Sequence, residues 1–176
     1  MEREKFDVFC VNTGKTIRVE GGESLLEIYE MAKPQLAHRP VCAYVNNKTE
    51  ELRYRVYGPK DIEFLDITHP SGMRTYVRSL CFVMYKAIRD IVPGTRLRIE
   101  HSLSHGYYCL LDNPEALKPE TIARIKERMA QIIAADIPFE KIECHTADAI
   151  EVFRAQGMLD KVELLQSTRQ LYTQYH

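Results

Sequence analysis

Along the first third of the chain, apolar and polar residues alternate in short runs, a period that predicts strands. Phe6 to Val11 and Thr16 to Glu20 are two such runs, and Asn12-Thr13-Gly14-Lys15 between them is hairpin chemistry. Gly21-Gly22 closes the second run. Ser24-Leu25-Leu26-Glu27 then fits a capping box, with Ser24 as N-cap and Glu27 reaching back to its amide. Leu25, Ile28, Tyr29 and Ala32 give the following helix an apolar stripe, and Pro34 stops it. Val41 to Val45 is a further strand turned by Asn46-Asn47. Asp61 to Thr68 closes the unit, with Ile62, Phe64 (or Leu65) and Ile67 available to a core. A hairpin, one helix and a returning mixed sheet form the β-grasp layout.

His69-Pro70-Ser71-Gly72 is the expected joint, with Ser71 as cap of the helix that follows. On that helix Tyr76, Leu80, Val83, Met84, Ala87, Ile88 and Ile91 fall on one helical stripe and are expected in the core. Arg78, Phe82, Tyr85 and Arg89 project from the other side. Two aromatics there imply that this side is covered in part, by another layer or by a pocket wall. Arg96 to Glu100 and Tyr107 to Leu111 read as strands. Pro119 opens a helix whose stripe is Ile122, Ile125, Met129, Ile132 and Ile133. Phe139 to Cys144 alternates as a strand, and Thr146 caps a last helix that Gly157 ends. The fold class expected is α+β, with a β-grasp domain over 1-68 and an α+β domain over 70-176.

A formal charge of -1 over 176 residues supplies no global electrostatic reason to bind nucleic acid or an acidic membrane. Locally, Arg74, Arg78, Lys86, Arg89, Arg96 and Arg98 form the densest basic cluster, by default a solvated face and otherwise a contact for RNA or a nucleotide phosphate. Five scattered cysteines, odd in number and without a C-x-x-C, are expected as reduced thiols in a cytoplasmic protein. The charged start, Met1 to Lys5, lacks a signal-peptide pattern, and the run Leu80 to Tyr85 is too short to span a bilayer. No membrane partner is expected.

The stretch Gly72 to Tyr108, GMRTYVRSLCFVMYKAIRDIVPGTRLRIEHSLSHGYY, resembles the first half of the editing-type domain of threonyl-tRNA synthetase. There the matching helix carries a His-x-x-x-His pair, and the segment after it ends in Asn-Gly-Phe-Tyr-Tyr. The two histidine positions fall here on Arg78 and Phe82, and Cys109 takes the place of the last tyrosine. A guanidinium has no lone pair for a metal or a proton, and a phenyl ring has neither function. His145 to Phe153 and Lys161 to Leu165 extend the resemblance, the latter matching a Lys-Val strand whose lysine lines the family's pocket. The similarity is collinear over most of 70-165, while 5-68 resembles the TGS domain, a β-grasp module generally taken to bind a ligand or RNA. The family's downstream Cys-x-x-x-His segment has no match within these 176 residues.

Two local motifs compete with that picture. Gly14-Lys15-Thr16 resembles the end of a phosphate-binding loop, but Phe9 stands where the leading glycine belongs and a strand follows instead of a helix. His101-Ser102-Leu103-Ser104-His105 has zinc-ligand spacing, which Cys144-His145 could complete. It lies between two strands, so helical spacing does not apply there. It reads first as a plain surface loop, and otherwise as a loop that presents His101, two serines and His105 to a phosphate or a base. No metal site or cofactor is expected in these residues.

A TGS domain followed by a synthetase-like domain without its histidines also occurs at the N-terminus of some bacterial uridine-kinase-type nucleoside kinases, a region this chain resembles. The resemblance implies a non-catalytic accessory or regulatory region that binds a nucleotide or RNA. A P-loop kinase domain would follow His176 as its partner, with ATP and Mg as cofactors of that domain alone. The alternatives are a remodelled aminoacyl-tRNA deacylase, using Lys161 and the His101/His105 loop, and a free-standing RNA-binding adaptor. The candidate contact residues are Arg78, Phe82, His101, His105 and Lys161; neither ligand nor oligomeric state is legible.

Overall fold

The computed structural model describes residues 5–104, 106–168 and 170–175. The chain divides into two compact units, Met1–Phe82 and Val83–His176, and one long helix contributes to both.

In the first unit, strands β1 (Phe6–Cys10) and β2 (Lys15–Val19) form the anticipated hairpin, Phe6 opposite Val19 and Cys10 opposite Lys15. A short strand β3 (Glu23–Ser24) runs into helix α1 (Leu25–Ala32). Strands β4 (Cys42–Val45), β5 (Lys48–Glu50), β6 (Arg55–Val56) and β7 (Asp61–Leu65) follow. The sheet order is β2-β1-β7-β4-β5, with β1 and β7 parallel, while β3 and β6 pair separately. That is a β-grasp sheet. The capping box is formed as read: the Glu27 amide donates to Ser24 Oγ at 3.2 Å and the Ser24 amide to Glu27 Oε2 at 2.7 Å. Asn46 and Asn47 both have positive φ, 47° and 66°, which lets two residues turn β4 into β5 with the native twist. Val8, Cys10, Val19, Leu25, Ile28, Ile62 and Phe64 close the core, and Tyr29 meets the Phe64 ring edge-on at 5.3 Å.

Two side chains hold distant segments to this sheet. Asn12 donates to the Phe64 carbonyl (3.0 Å) and accepts from the Phe64 amide (2.7 Å), tying the first hairpin turn to β7. Asp66 accepts from the amides of Thr68 and His38 and from the Thr68 hydroxyl. It thereby fixes the exit from β7 into helix α2 (Pro70–Ile91).

The start of α2 corrects one expectation. Ser71 is not its cap: the His69 Nδ1 accepts the Ser71 amide at 3.1 Å, and Pro70, lacking N–H, occupies the first turn. The Ser71 hydroxyl instead shares a 2.7 Å hydrogen bond with Tyr44 and accepts one from Arg74. The helix begins at Pro70, and its first turns belong with the first unit. Thr75 donates to Cys42 Sγ at 3.5 Å, and Gly72 lies against the Asp66 carbonyl and Val41.

The second unit is also mixed. Strands β8 (Leu97–Leu103) and β9 (Gly106–Leu111) form a hairpin, and a 3-10 turn at Pro114–Leu117 leads to helix α3 (Pro119–Ala134). Strand β10 (Ile142–His145), helices α4 (Thr146–Ala155) and α5 (Leu159–Ser167), and strand β11 (Tyr172–Tyr175) complete it. Ala87 and Ile88 of α2 pack with Ile125 and Ile132 of α3 under Leu97 and Leu111.

Several expectations fail here for identifiable reasons. Tyr76 and Leu80 are 46% and 38% exposed, because the core under α2 begins only at Val83. Ile122 and Ile133 are exposed, since only the Ile125, Met129, Ile132 line of α3 meets neighbours. The strand expected from Phe139 starts at Ile142, where β11 supplies its partner. Thr146 does not cap α4: His145 Nδ1 accepts the Ala147 amide at 3.2 Å, while the Thr146 hydroxyl donates to the Gln170 carbonyl. Lys161 to Leu165 lies in helix α5 and not in a strand. Its residues are mostly good helix formers with one β-branched side chain, and the Lys161 and Val162 amides turn back to the Met158 carbonyl.

Candidate functional site

Helix α2 is the most polarised element in sign. From Pro70 to Arg89 it carries Arg74, Arg78, Lys86 and Arg89 and no acidic residue; Asp90 is its first carboxylate. That carboxylate is already engaged by Lys86 and, at 2.9 Å, by Arg128. Lys86 is the leading cause that holds the Asp90 carboxyl below its ordinary range. Further along, Arg89 lies over the Tyr85 ring and reaches Met158 Sδ at 2.9 Å, so this end of the helix is used internally by the second unit. Of the side expected to be covered in part, Arg89 is the residue that Met158 meets. That contact does not extend to the whole side of the helix.

Arg78 and Phe82, one turn apart on α2, are both exposed, Phe82 by 39%. Among the described residues the Arg78 guanidinium has no hydrogen-bond or ion-pair partner, whereas Arg74 is steered by Ser71. Met73, Tyr76 and Leu80 are exposed beside them. The result is a cationic, partly aromatic surface on a stretch of helix that carries no carboxylate.

His101 is placed differently from the expectation. Strand β8 extends through Leu103, so His101 and Ser102 are strand residues opposite Tyr108 and Tyr107 and not members of a loop. Strand pairing continues to the Leu103–Gly106 pair, and Ser104, directly after β8, has φ 53°. The His101 ring lies 5.3 Å from that of Tyr108, tilted by 32°. His105 lies outside the described residues. Lys161, on α5, has its ammonium 3.7 Å from Asp160 and is 44% exposed. Among the described residues, no hydrogen bond or ion pair joins it to His101.

No group of three or more His, Cys, Asp or Glu side chains among the described residues could hold a metal ion. No helix among them is long and apolar enough to cross a membrane. Gly14-Lys15-Thr16 is the end of a turn: the Gly14 amide bonds the Cys10 carbonyl at 2.9 Å, its φ is 64°, and β2 follows. An open depression of about 630 Å³ on the first unit is lined by Glu20, Gly21, Gly22, Glu23, Glu27, Arg55 and Tyr57. Its carboxylates are already employed. Glu23 takes the amides of Glu20 and Gly21, each at 2.8 Å, and Glu27 takes the amide and the hydroxyl of the Ser24 cap. Both carboxyls are held below their ordinary range, each mainly by a backbone N–H, of Glu20 and of Ser24 respectively. They are turn and cap groups.

No protein-family model matches the chain. It is similar to the threonine–tRNA ligase of Desulforamulus reducens, 30% identical over 144 residues that make up 82% of this chain and 23% of that protein. The threonine–tRNA ligase of Syntrophomonas wolfei is likewise 30% identical over 145 residues, 82% of this chain and 23% of the relative. Its homologues are threonine–tRNA ligases. That of Francisella tularensis subsp. novicida extends the match to 92% of this chain at 23% identity. The chain spans about a quarter of the length of these relatives. The β-grasp unit followed by a second α+β unit is consistent with the TGS and editing-like domains of the synthetases. None of these relatives is a nucleoside kinase.

The side chains that the sequence left unnoticed are the caps and ties. At His69 and His145 an imidazole accepts the helix-start amide, a role that the Ser, Thr, Asp or Asn cap signal does not find.

Proposed function

We propose that this chain is a threonyl-tRNA synthetase-like accessory region that binds RNA in the cytoplasm and performs no chemistry on it. The observation that carries this is the exposed first half of α2, where Arg74 and Arg78 lie beside exposed Tyr76 and Phe82 with no acidic residue on that stretch. Cations that neutralise phosphates release counterions, and aromatic rings offer faces on which unpaired bases stack. Separately, the second unit presents a ring pair of its own, His101 with Tyr108. The relatives are ligases of threonine and tRNA, so tRNA is the RNA chosen for the first test.

A remodelled deacylase is the competing reading, and it fares worse on chemical grounds. Hydrolysis of an ester needs a positioned base or nucleophile. Arg78 cannot accept a proton, Phe82 has no heteroatom, and the Lys161 ammonium faces Asp160. The nucleoside-kinase setting has no support among the relatives. Fluorescence anisotropy with a labelled tRNA acceptor-stem RNA tests the proposal. Binding by the whole chain, weakened several-fold by Arg78→Ala, is the expected result. Affinity unchanged from the parent in both the Arg78→Ala and Arg74→Ala proteins would overturn the assignment to α2.

A further inference from the structure

Strand β8 has one hydrogen-bonded neighbour, β9, so its outer edge is open among the described residues. The 3-10 turn at Pro114–Leu117 lies near β9. A two-stranded ribbon is marginal alone, and an open edge is a template for pairing unless something blocks it. Here Arg98 and Glu100 flank Ile99, and a bulge lies between Ile99 and His101. Charges and bulges of this kind deter most partners. One partner escapes the charge deterrent.

We propose that the β8 edge pairs antiparallel with β8 of a second copy of this chain, on a two-fold axis through Ile99. In that register each Arg98 faces the other copy's Glu100, and Ile99 faces Ile99. The sequence Arg98-Ile99-Glu100 is thus charge-complementary to itself when reversed, the property an isologous contact requires. The groups are available. The Arg98 and Glu100 side chains are 73% and 39% exposed and joined only by an in-strand pair at 3.6 Å, and Ile99 is 40% exposed. Pairing turns two ribbons into one four-stranded sheet and covers Ile99, with its cross-strand partner Cys109 on the same face. It depends on no RNA.

The test is sedimentation equilibrium of the whole chain at low salt, from micromolar concentration to the solubility limit. A monomer–dimer equilibrium is expected. Arg98→Glu places like charges opposite each other twice and weakens the dimer about tenfold or more, and Glu100→Arg does the same. Mixing these two single variants restores association, because each then meets the opposite charge, and so does the double exchange Arg98→Glu/Glu100→Arg. Recovery on mixing also shows that both single variants are folded. A monomer at every concentration would overturn the proposal. So would a dimer indifferent to Arg98→Glu, or single variants that do not associate when mixed.

Discussion

Replacing Gly72 by alanine probes the attachment of α2 to the β-grasp sheet. Gly72 sits in the first turn of the helix, and its conformation is not the reason glycine is needed, since its φ is not in the left-handed region. The reason is contact. A Cβ there would lie 1.8 Å from the Asp66 carbonyl oxygen, 2.7 Å from the Asp66 carbonyl carbon and 3.3 Å from Val41 Cγ2. The first two are backbone atoms, and Asp66 is anchored by His38 and Thr68, so neither can swing away. Relief requires a backbone shift of roughly 1 Å, and overpacking of this kind costs about 1–3 kcal/mol. Alanine recovers at most about 1 kcal/mol through its helix propensity, and less in a first turn. The expected outcome is a net loss of about 2 kcal/mol. Urea unfolding followed by far-UV circular dichroism measures it, and hydrogen exchange should show lost protection in β4, β7 and the first turns of α2. Gly58→Ala is the control, with nothing within 4 Å of its Cβ and no positive φ, and should change stability by less than about 0.5 kcal/mol. A Gly72→Ala protein as stable as the parent would refute the packing of α2 on the sheet.

Other outcomes follow from the same geometry. The Asp66 carboxyl is held at about 2, below its ordinary 3.8, chiefly by the Thr68 hydroxyl and then by the Thr68 and His38 amides. A lowered folded-state value means that its contribution is complete above 3.8 and is lost as pH falls toward about 2. Acid titration of the first unit by circular dichroism should show this loss, and Asp66→Asn should remove that part of the pH dependence. His145→Ala should destabilise α4 by about 1 kcal/mol, while His145→Asn, which can still accept the Ala147 amide, should cost only a few tenths. Equal loss in both variants, read by thermal unfolding, would deny the imidazole its capping role. Purified chain should release no amino acid from seryl- or threonyl-tRNA above the uncatalysed rate. Turnover that disappears in Lys161→Ala would instead favour the deacylase.

The first unit was legible almost element by element because its signals are local. A capping box, an Asn-Asn turn and period-two alternation each act within a few residues, and the structure forms all three. Strands β3 and β6 were missed because two-residue pairings leave no periodicity to read. The second unit was legible as α+β but not in its details, since its strands exist by long-range pairing. β10 is a strand only where β11, some 30 residues later, lies opposite it. Lys161 to Leu165 was read as a strand from a family pattern against its own helix propensity, and propensity prevailed. At the candidate site, the helical period sets Arg78 and Phe82 off the core stripe, on a side expected to be covered in part; both are exposed. Tyr76 and Leu80 were misassigned because a helical stripe does not say where its core ends. The His101 segment reads as a loop because its serines and histidines mask the alternation that extends β8.

The central claim, binding of RNA through α2 without catalysis, is tested most directly by the salt dependence of tRNA affinity for the parent and for Arg74→Ala/Arg78→Ala. If these guanidiniums neutralise phosphates, log affinity falls linearly with log salt concentration, and the double variant shows a slope shallower by about two. Absence of binding at low salt, or a slope unchanged in the double variant, would contradict it.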